Sequence, residues 1–311
     1  MRLTRGRSLT TLAASGSTGD GMGVAGRVKR WGLGLLVGLA LAAPAAAEPA
    51  LWAVRDADST LYLYGTVHVL KPDTRWQGPG MEKAWGEAQE VWFEVAPSKA
   101  DDPAVMESLM PLMMDPGRPL SKRLPLDLYA KVTRAAREVG ADLAALEPFK
   151  PATAAILLAS LSMVKAGYSP ESGVEKKLEA LVGTRPVREL ETAEQQVRFL
   201  VDLPEDVQLA LLDNGLDEIG DNGHLDQVVA AWAKGDTRVL ETLYLDELRR
   251  DHPKAYAVFV TDRNRAWAQV LAREMAGSGT DFVAVGALHM VGPDGLPALL
   301  KARGFTVERV Q

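Results

Sequence analysis

The 311-residue chain contains no cysteine. No disulfide can brace it, no thiolate can act as its nucleophile, and any metal it holds must be bound through His, Asp, Glu or Asn. Histidine is scarce as well, with four in the whole sequence. Positive charge is in deficit, with 35 Lys and Arg against 41 Asp and Glu. Such an acidic chain repels phosphate backbones and anionic lipid, so neither a nucleic-acid partner nor a polybasic membrane patch is expected. Long apolar runs are also missing. The two longest stretches, Trp31–Ala42 and Ala152–Val164, fall short of the roughly 20 residues that cross a bilayer.

The first of those stretches has a recognisable setting. A basic segment, Arg27-Val28-Lys29-Arg30, precedes it, and the small-residue stretch Ala45-Ala46-Ala47 follows. That order is the layout of a cleavable secretory signal peptide, with cleavage expected after Ala47. Counting from Met22 rather than Met1 brings its length into the usual range of about 15 to 30 residues. The mature protein is therefore expected to be exported, periplasmic or secreted, with no stable membrane span. Taking six basic residues and one acidic residue from the totals of 35 and 41 leaves 29 against 40, a net charge of −11 over residues 48–311.

Residues 48–311 read as one domain of α/β (α+β) class. Leu51–Val54 and Thr60–Tyr64 are strand-like and flank the polar cluster Arg55–Ser59, which predicts a hairpin. Gly80–Gln89 has helical spacing, and Val91-Trp92-Phe93 reads as a short buried strand ending at Glu94. From Pro103 to about Leu248 the pattern is helical apart from one strand over Pro186–Leu190, and Ala152–Val164, apolar nearly all round, predicts a core helix. Tyr256–Met275 is helical, Asp281–Val285 a buried strand, Leu296–Arg303 a helix stopped at Gly304, and Phe305–Val310 a last strand. Strands at both ends with helices between them imply one central sheet assembled from N- and C-terminal segments around a large helical insert.

Two distant segments share one spacing. Gly65-Thr66-Val67-His68-Val69-Leu70-Lys71-Pro72-Asp73 and Gly286-Ala287-Leu288-His289-Met290-Val291-Gly292-Pro293-Asp294 are both G-x-x-H-x-x-x-P-D. Each follows an apolar strand, which sets each histidine where a strand gives way to a loop, the usual place for a ligand in an α/β sheet. A third strand end carries Glu94, a carboxylate that needs water or a cationic partner. Two imidazoles and a carboxylate meeting at strand ends suit a divalent site of the hydrolytic kind; the alternative is that Glu94 pairs with an arginine. His224 and His252 sit in polar turns and read as surface residues, and most of the tryptophans read as core.

These blocks give the chain a resemblance to the TraB/GumN family, whose members include the Tiki metalloproteases. The blocks are Leu61-Tyr62-Leu63-Tyr64 running into Gly65-Thr66-Val67-His68, then Phe93-Glu94, Gly173-Val174-Glu175, Leu190-Glu191-Thr192 and Glu194-Gln195-Gln196. Arg263-Asn264, Gly286-Ala287-Leu288-His289 and Gly304-Phe305-Thr306-Val307 complete them. The resemblance implies that His68 and His289 are metal ligands and that Glu94 is a third ligand or the base that takes a proton from water. Arg263 is then expected either to stabilise an oxyanion or to lie on a helix surface. Relatives usually carry Asp where this chain has Glu175, and the added methylene moves that carboxylate by about 1.5 Å, enough to matter in a preorganised site. Glu191 is expected near the same cleft, although Thr192–Gln195 also fits a helix capping box.

The leading expectation is a metal-dependent hydrolase of the cell envelope acting on peptide or protein substrates, with Zn, Mn, Co or Fe as the ion. Its catalytic set would be Glu94, Arg263 and Glu175. The alternative is a non-catalytic envelope binding protein whose histidines hold a ligand such as haem or a signalling peptide. An assembly factor with purely structural histidines is a third reading.

Overall fold

The computed structural model describes residues 48–311 apart from Asn222. The predicted signal segment, residues 1–47, lies outside the described residues. Six strands form one mixed sheet in the order β4-β3-β5-β2-β1-β6. They are β1 (Leu51–Arg55), β2 (Ser59–Thr66), β3 (Glu90–Phe93), β4 (Val187–Glu189), β5 (Gly279–Gly286) and β6 (Thr306–Arg309). The expected strands are all present, with no end shifted by more than two residues.

The expected hairpin is the antiparallel pair β1–β2. Its turn is held by the Asp56 side chain, which accepts from the backbone N–H groups of Asp58 (3.2 Å) and Ser59 (2.9 Å), the local bonding that makes Asp a turn residue. Strands β2, β5, β3 and β4 run parallel. Their carboxyl ends therefore open on one edge of the sheet, where ligands collect in parallel sheets. Strand β5 is buried on both faces, as its run Phe282-Val283-Ala284-Val285 predicts. Trp76, Trp92 and Trp267 are buried in the core, as expected.

The helical insert carries a second apolar cluster of its own, including Leu120, Val132, Leu158 and Leu212. Here the structure corrects one reading. The helix Pro151–Lys165 is not buried all round. Ala154 and Leu158 face this cluster, whereas Ile156, Leu161 and Val164 are about half exposed. The predicted helix Tyr256–Met275 is also more complex, because its second turn is a π-helical stretch, Ala257–Asp262, before the α-helix Arg263–Glu274. A π turn shifts the side chains that follow it around the helix axis, a device common near functional sites.

Candidate functional site

Both histidine motifs lie at the carboxyl ends of neighbouring parallel strands, with Gly65 beside Val285 and Thr66 beside Gly286. Glu94 directly follows β3 on the other side of β5. Gly286 is the centre of the arrangement. A β-carbon there would lie 3.2 Å from Glu94 Oε1, 3.5 Å from His289 Cδ2 and 4.0 Å from His68 Nε2. The glycine of the second motif thus leaves room for all three side chains to converge.

His289 is buried in a short 3₁₀ turn and its ring lies 4.5 Å from that of Trp267. Asn264 sets its tautomer. The Asn264 Nδ2 group donates to the carbonyls of Asp294 (2.8 Å) and His289 (3.3 Å), so Oδ1 faces His289 Nδ1 at 2.7 Å. Nδ1 must then carry the proton, which leaves the lone pair on Nε2. Burial depresses this imidazole to about 3, with Arg263 and His68 adding to the effect against the pull of Glu94. It is neutral at physiological pH.

Glu94 is buried, and its two oxygens divide their partners. Oε1 accepts from the Gly286 N–H (2.7 Å) and lies 3.9 Å from His289 Nε2. Oε2 accepts from Arg263 Nη2 (2.6 Å) and Gln196 Nε2 (3.1 Å). Desolvation pushes its acidity one way, but His289, Arg263, His68 and the Gly286 N–H outweigh it and hold Glu94 at about 2. Because His289 is uncharged at neutral pH, Arg263 is the cation that does most of this there. Glu191 is buried beside it, bonded by Arg263 Nε (3.1 Å) and Nη2 (2.5 Å) and by Gln196 (2.9 Å). Burial raises Glu191 against the pull of that arginine.

Arg263 uses every N–H it has. Besides the two glutamates, its Nη1 reaches the Phe259 carbonyl (3.3 Å) and His289 Nε2 (3.1 Å), and the guanidinium lies over Trp267 at 4.6 Å. It is no helix-surface residue. In place of the helix-surface reading, the structure displays a clamp on two carboxylates.

His68 stands on the open side of the cleft, its side chain 67% exposed, with Nδ1 2.8 Å from Glu175 Oε1. The Glu175 carboxylate raises this imidazole above its ordinary value while desolvation opposes it, and water on the open side screens part of the effect. Glu175 itself is buried, takes a hydrogen bond from Thr66 Oγ1, and leaves Oε2 without a partner. Gly173 makes this approach possible. A β-carbon there would sit 2.1 Å from the His68 carbonyl oxygen, and the next N–H, Val174, donates to Val67 O at 3.1 Å. The longer Glu175 therefore reaches His68 directly.

The donor set suits a divalent ion in kind. Both imidazoles have Nδ1 anchored, one by Glu175 and one by Asn264, the second layer that orients ligating histidines. Glu94 and Glu191 share one permanent cation, Arg263, and Glu175 pairs only with His68, an excess of carboxylates that favours an added positive charge. His68 Nε2 and Glu94 Oε1 are the donors available. His289 Nε2 would ligate only once Arg263 Nη1 withdraws from it, and among the described residues no three His, Asp or Glu side chains stand in ready-made ligand geometry. Thr192 and Gln195 form the expected capping box. Asn264 and Gln196 belong to motif blocks, but their roles are visible only in three dimensions, since neither position carries a spacing signal. His252 and His224 lie apart from the site, half-buried, with His252 bonded to Asn214.

Two cavities meet at this point. One, about 570 Å³, runs from His68, Glu94 and Arg263 between apolar helices; the other, about 210 Å³, lies across His68 and Glu94 and is lined by Asp101, Glu175 and Lys176.

A family model for the TraB/PrgY/gumN family matches residues 50–309. The chain belongs to that family. This TraB/PrgY/gumN chain is 34% identical over 154 residues to the uncharacterized protein YbaP of Escherichia coli (strain K12), covering 47% of the chain and 54% of YbaP, with the same figures for YbaP of Shigella flexneri. It thus spans about half the length of the curated relatives it matches. No solved structure matches it.

Proposed function

We propose that this family member is a hydrolase of the cell envelope that cleaves amide or peptide bonds, with a divalent ion held by His68, His289 and Glu94. The observation that carries the reading is the pair of imidazoles anchored at Nδ1 whose rings converge with Glu94 Oε1 on Gly286, His68 through Nε2 and His289 through Cδ2, with His289 Nε2 3.9 Å from that oxygen. When bound, such an ion would polarise the scissile carbonyl and ease ionisation of water. The protein's own groups supply the rest. Asn264 holds His289 in the tautomer that offers Nε2, Arg263 and Gln196 keep Glu94 ionised and in place, and Glu175 anchors His68 at Nδ1 so that its Nε2 faces the same point. Export rests on the basic, apolar and small-residue order of residues 27–47.

The test is turnover of a peptide library and of fluorogenic amides by the mature protein loaded with Mn, Co, Zn or Fe. His68→Ala and His289→Ala should each abolish turnover while circular dichroism stays unchanged. Activity equal to the parent in either variant would contradict the reading. The large apolar cavity opening at His68 favours a second reading, a binding protein that retains a ligand without cleaving it. Tight retention of intact ligand by a metal-loaded protein would decide for that.

A further inference from the structure

His68, Glu94 and Gln196 line both cavities, so the candidate site stands at a boundary between an apolar chamber and a polar one. The apolar chamber, about 570 Å³, falls in the range of roughly 300–1,000 Å³ typical of sites for small organic ligands. Its walls are helix sides, among them Pro151–Lys165, Ala193–Val201 and Glu205–Asp217. Their backbone N–H and C=O groups are consumed within the helices, and Thr153, Gln196 and Arg263 are already bonded, to the Met113 carbonyl and to the two glutamates, which leaves the Tyr244 hydroxyl and His68 as the polar groups free to meet a ligand along these walls. An extended peptide would bury most of its amides there without partners. A hydrocarbon chain has none to satisfy.

The chamber is also kept open by a residue that helix propensity argues against. Gly215 lies inside the helix Glu205–Asp217, and a β-carbon on it would meet nothing within 4 Å. On the opposite wall Ala155 and Ala159 are small, while Ile156 is half exposed despite being aliphatic. On the other side of His68 the small chamber offers the charged groups of Asp101 and Lys176, which bond to each other at 2.7 Å.

We infer that the substrate is an N-acylated amino compound: a linear fatty acyl chain occupies the apolar chamber, the polar amine portion occupies the Asp101–Lys176 chamber, and the amide carbonyl sits at His68 and Glu94. Which bond is cut rests on the hydrolase reading above, whereas the seating of the chain does not. In the cleavage, water adds to the acyl carbon and the C–N bond breaks. The water oxygen ends in the fatty carboxylate, and a proton leaves with the amine, so no redox partner is required.

The experiment is calorimetric titration of the mature protein with N-dodecanoyl-alanine methylamide, N-acetyl-alanine methylamide and a capped tetraleucine peptide. The dodecanoyl probe should bind at least about tenfold more tightly than either, since each buried methylene contributes severalfold. Gly215→Leu, which fills the chamber and also favours its helix, should weaken that probe at least about tenfold without lowering Tm. His68→Ala should still bind the dodecanoyl probe but not cleave it. Binding without cleavage by the parent would remove the hydrolase reading and leave the chain seat standing. Equal binding of the acetyl probe, stronger binding of tetraleucine, or indifference to Gly215→Leu would overturn the proposal.

Discussion

Arg263 joins Glu94 to Glu191. Its Nη2 lies 2.6 Å from Glu94 Oε2 and 2.5 Å from Glu191 Oε1, and all three side chains are at least 88% buried. Two carboxylates so close in a poorly hydrated place repel each other unless that cation is present. Arg263→Met should therefore cost about 3–5 kcal/mol in stability, the range for stripping one partner from a buried charge network. Adding Glu191→Gln to it should recover part of that loss. Urea denaturation of the two variants checks this; a loss below 1 kcal/mol for the single variant would show that the clamp is not formed.

The His68–Glu175 pair sets a pH dependence. The folded value of His68 is raised by Glu175, so its contribution is fully present below the unfolded value near 6.5 and fades as pH rises through the folded value. The stability difference between the parent and Glu175→Gln should be largest below pH 6.5 and shrink above it. Because the ring is exposed, the pH-dependent part should be modest. A difference constant from pH 6 to 10 would contradict the pairing.

Gly173 is irreplaceable on steric grounds. A methyl group there meets the His68 carbonyl oxygen at 2.1 Å, and backbone must move to admit it. Gly173→Ala should destabilise by about 1–3 kcal/mol, as overpacking does, and should shift the backbone amide resonances of Val67 and Val174. Unchanged resonances would show that the loop does not pass this close.

At the opposite ends of the strands, Asp281 is nearly buried beside Glu90, its cross-strand neighbour, and near Glu274. Burial, with those two carboxylates adding, raises Asp281 to about 6. The folded state then keeps a proton that the unfolded chain loses, so stability falls as pH climbs from about 4 to 6. Asp281→Asn should flatten that slope and stabilise the protein above pH 6 by up to about 3 kcal/mol. Thermal melts from pH 4 to 7 read it directly; parallel curves for the two proteins would contradict it.

Much of this was legible in the residues. The paired motifs end neighbouring parallel strands because apolar runs such as Phe282–Val285 must be buried on both faces and the glycine after each run allows close approach. Glu94 announced its need for a cation, and the cation proved to be Arg263, 169 positions away in sequence. What local pattern could not supply was the pairing of distant side chains. Nothing in Asn264 or Gln196 alone reveals that one orients His289 and the other bridges Glu94 to Glu191. The helix Pro151–Lys165 departs from its sequence pattern for a similar reason. Its apolar face is shared between a core and a cavity, and composition cannot tell a buried isoleucine from one that lines an open chamber.

The most direct test of the account is metal content by mass spectrometry on the mature protein, purified without chelators or a histidine tag, beside the His68→Ala/His289→Ala double variant. The account predicts close to one equivalent of a transition metal in the parent and none in the variant. A parent that takes up no metal even after reconstitution, with Arg263 still bonded to His289 Nε2, would contradict it.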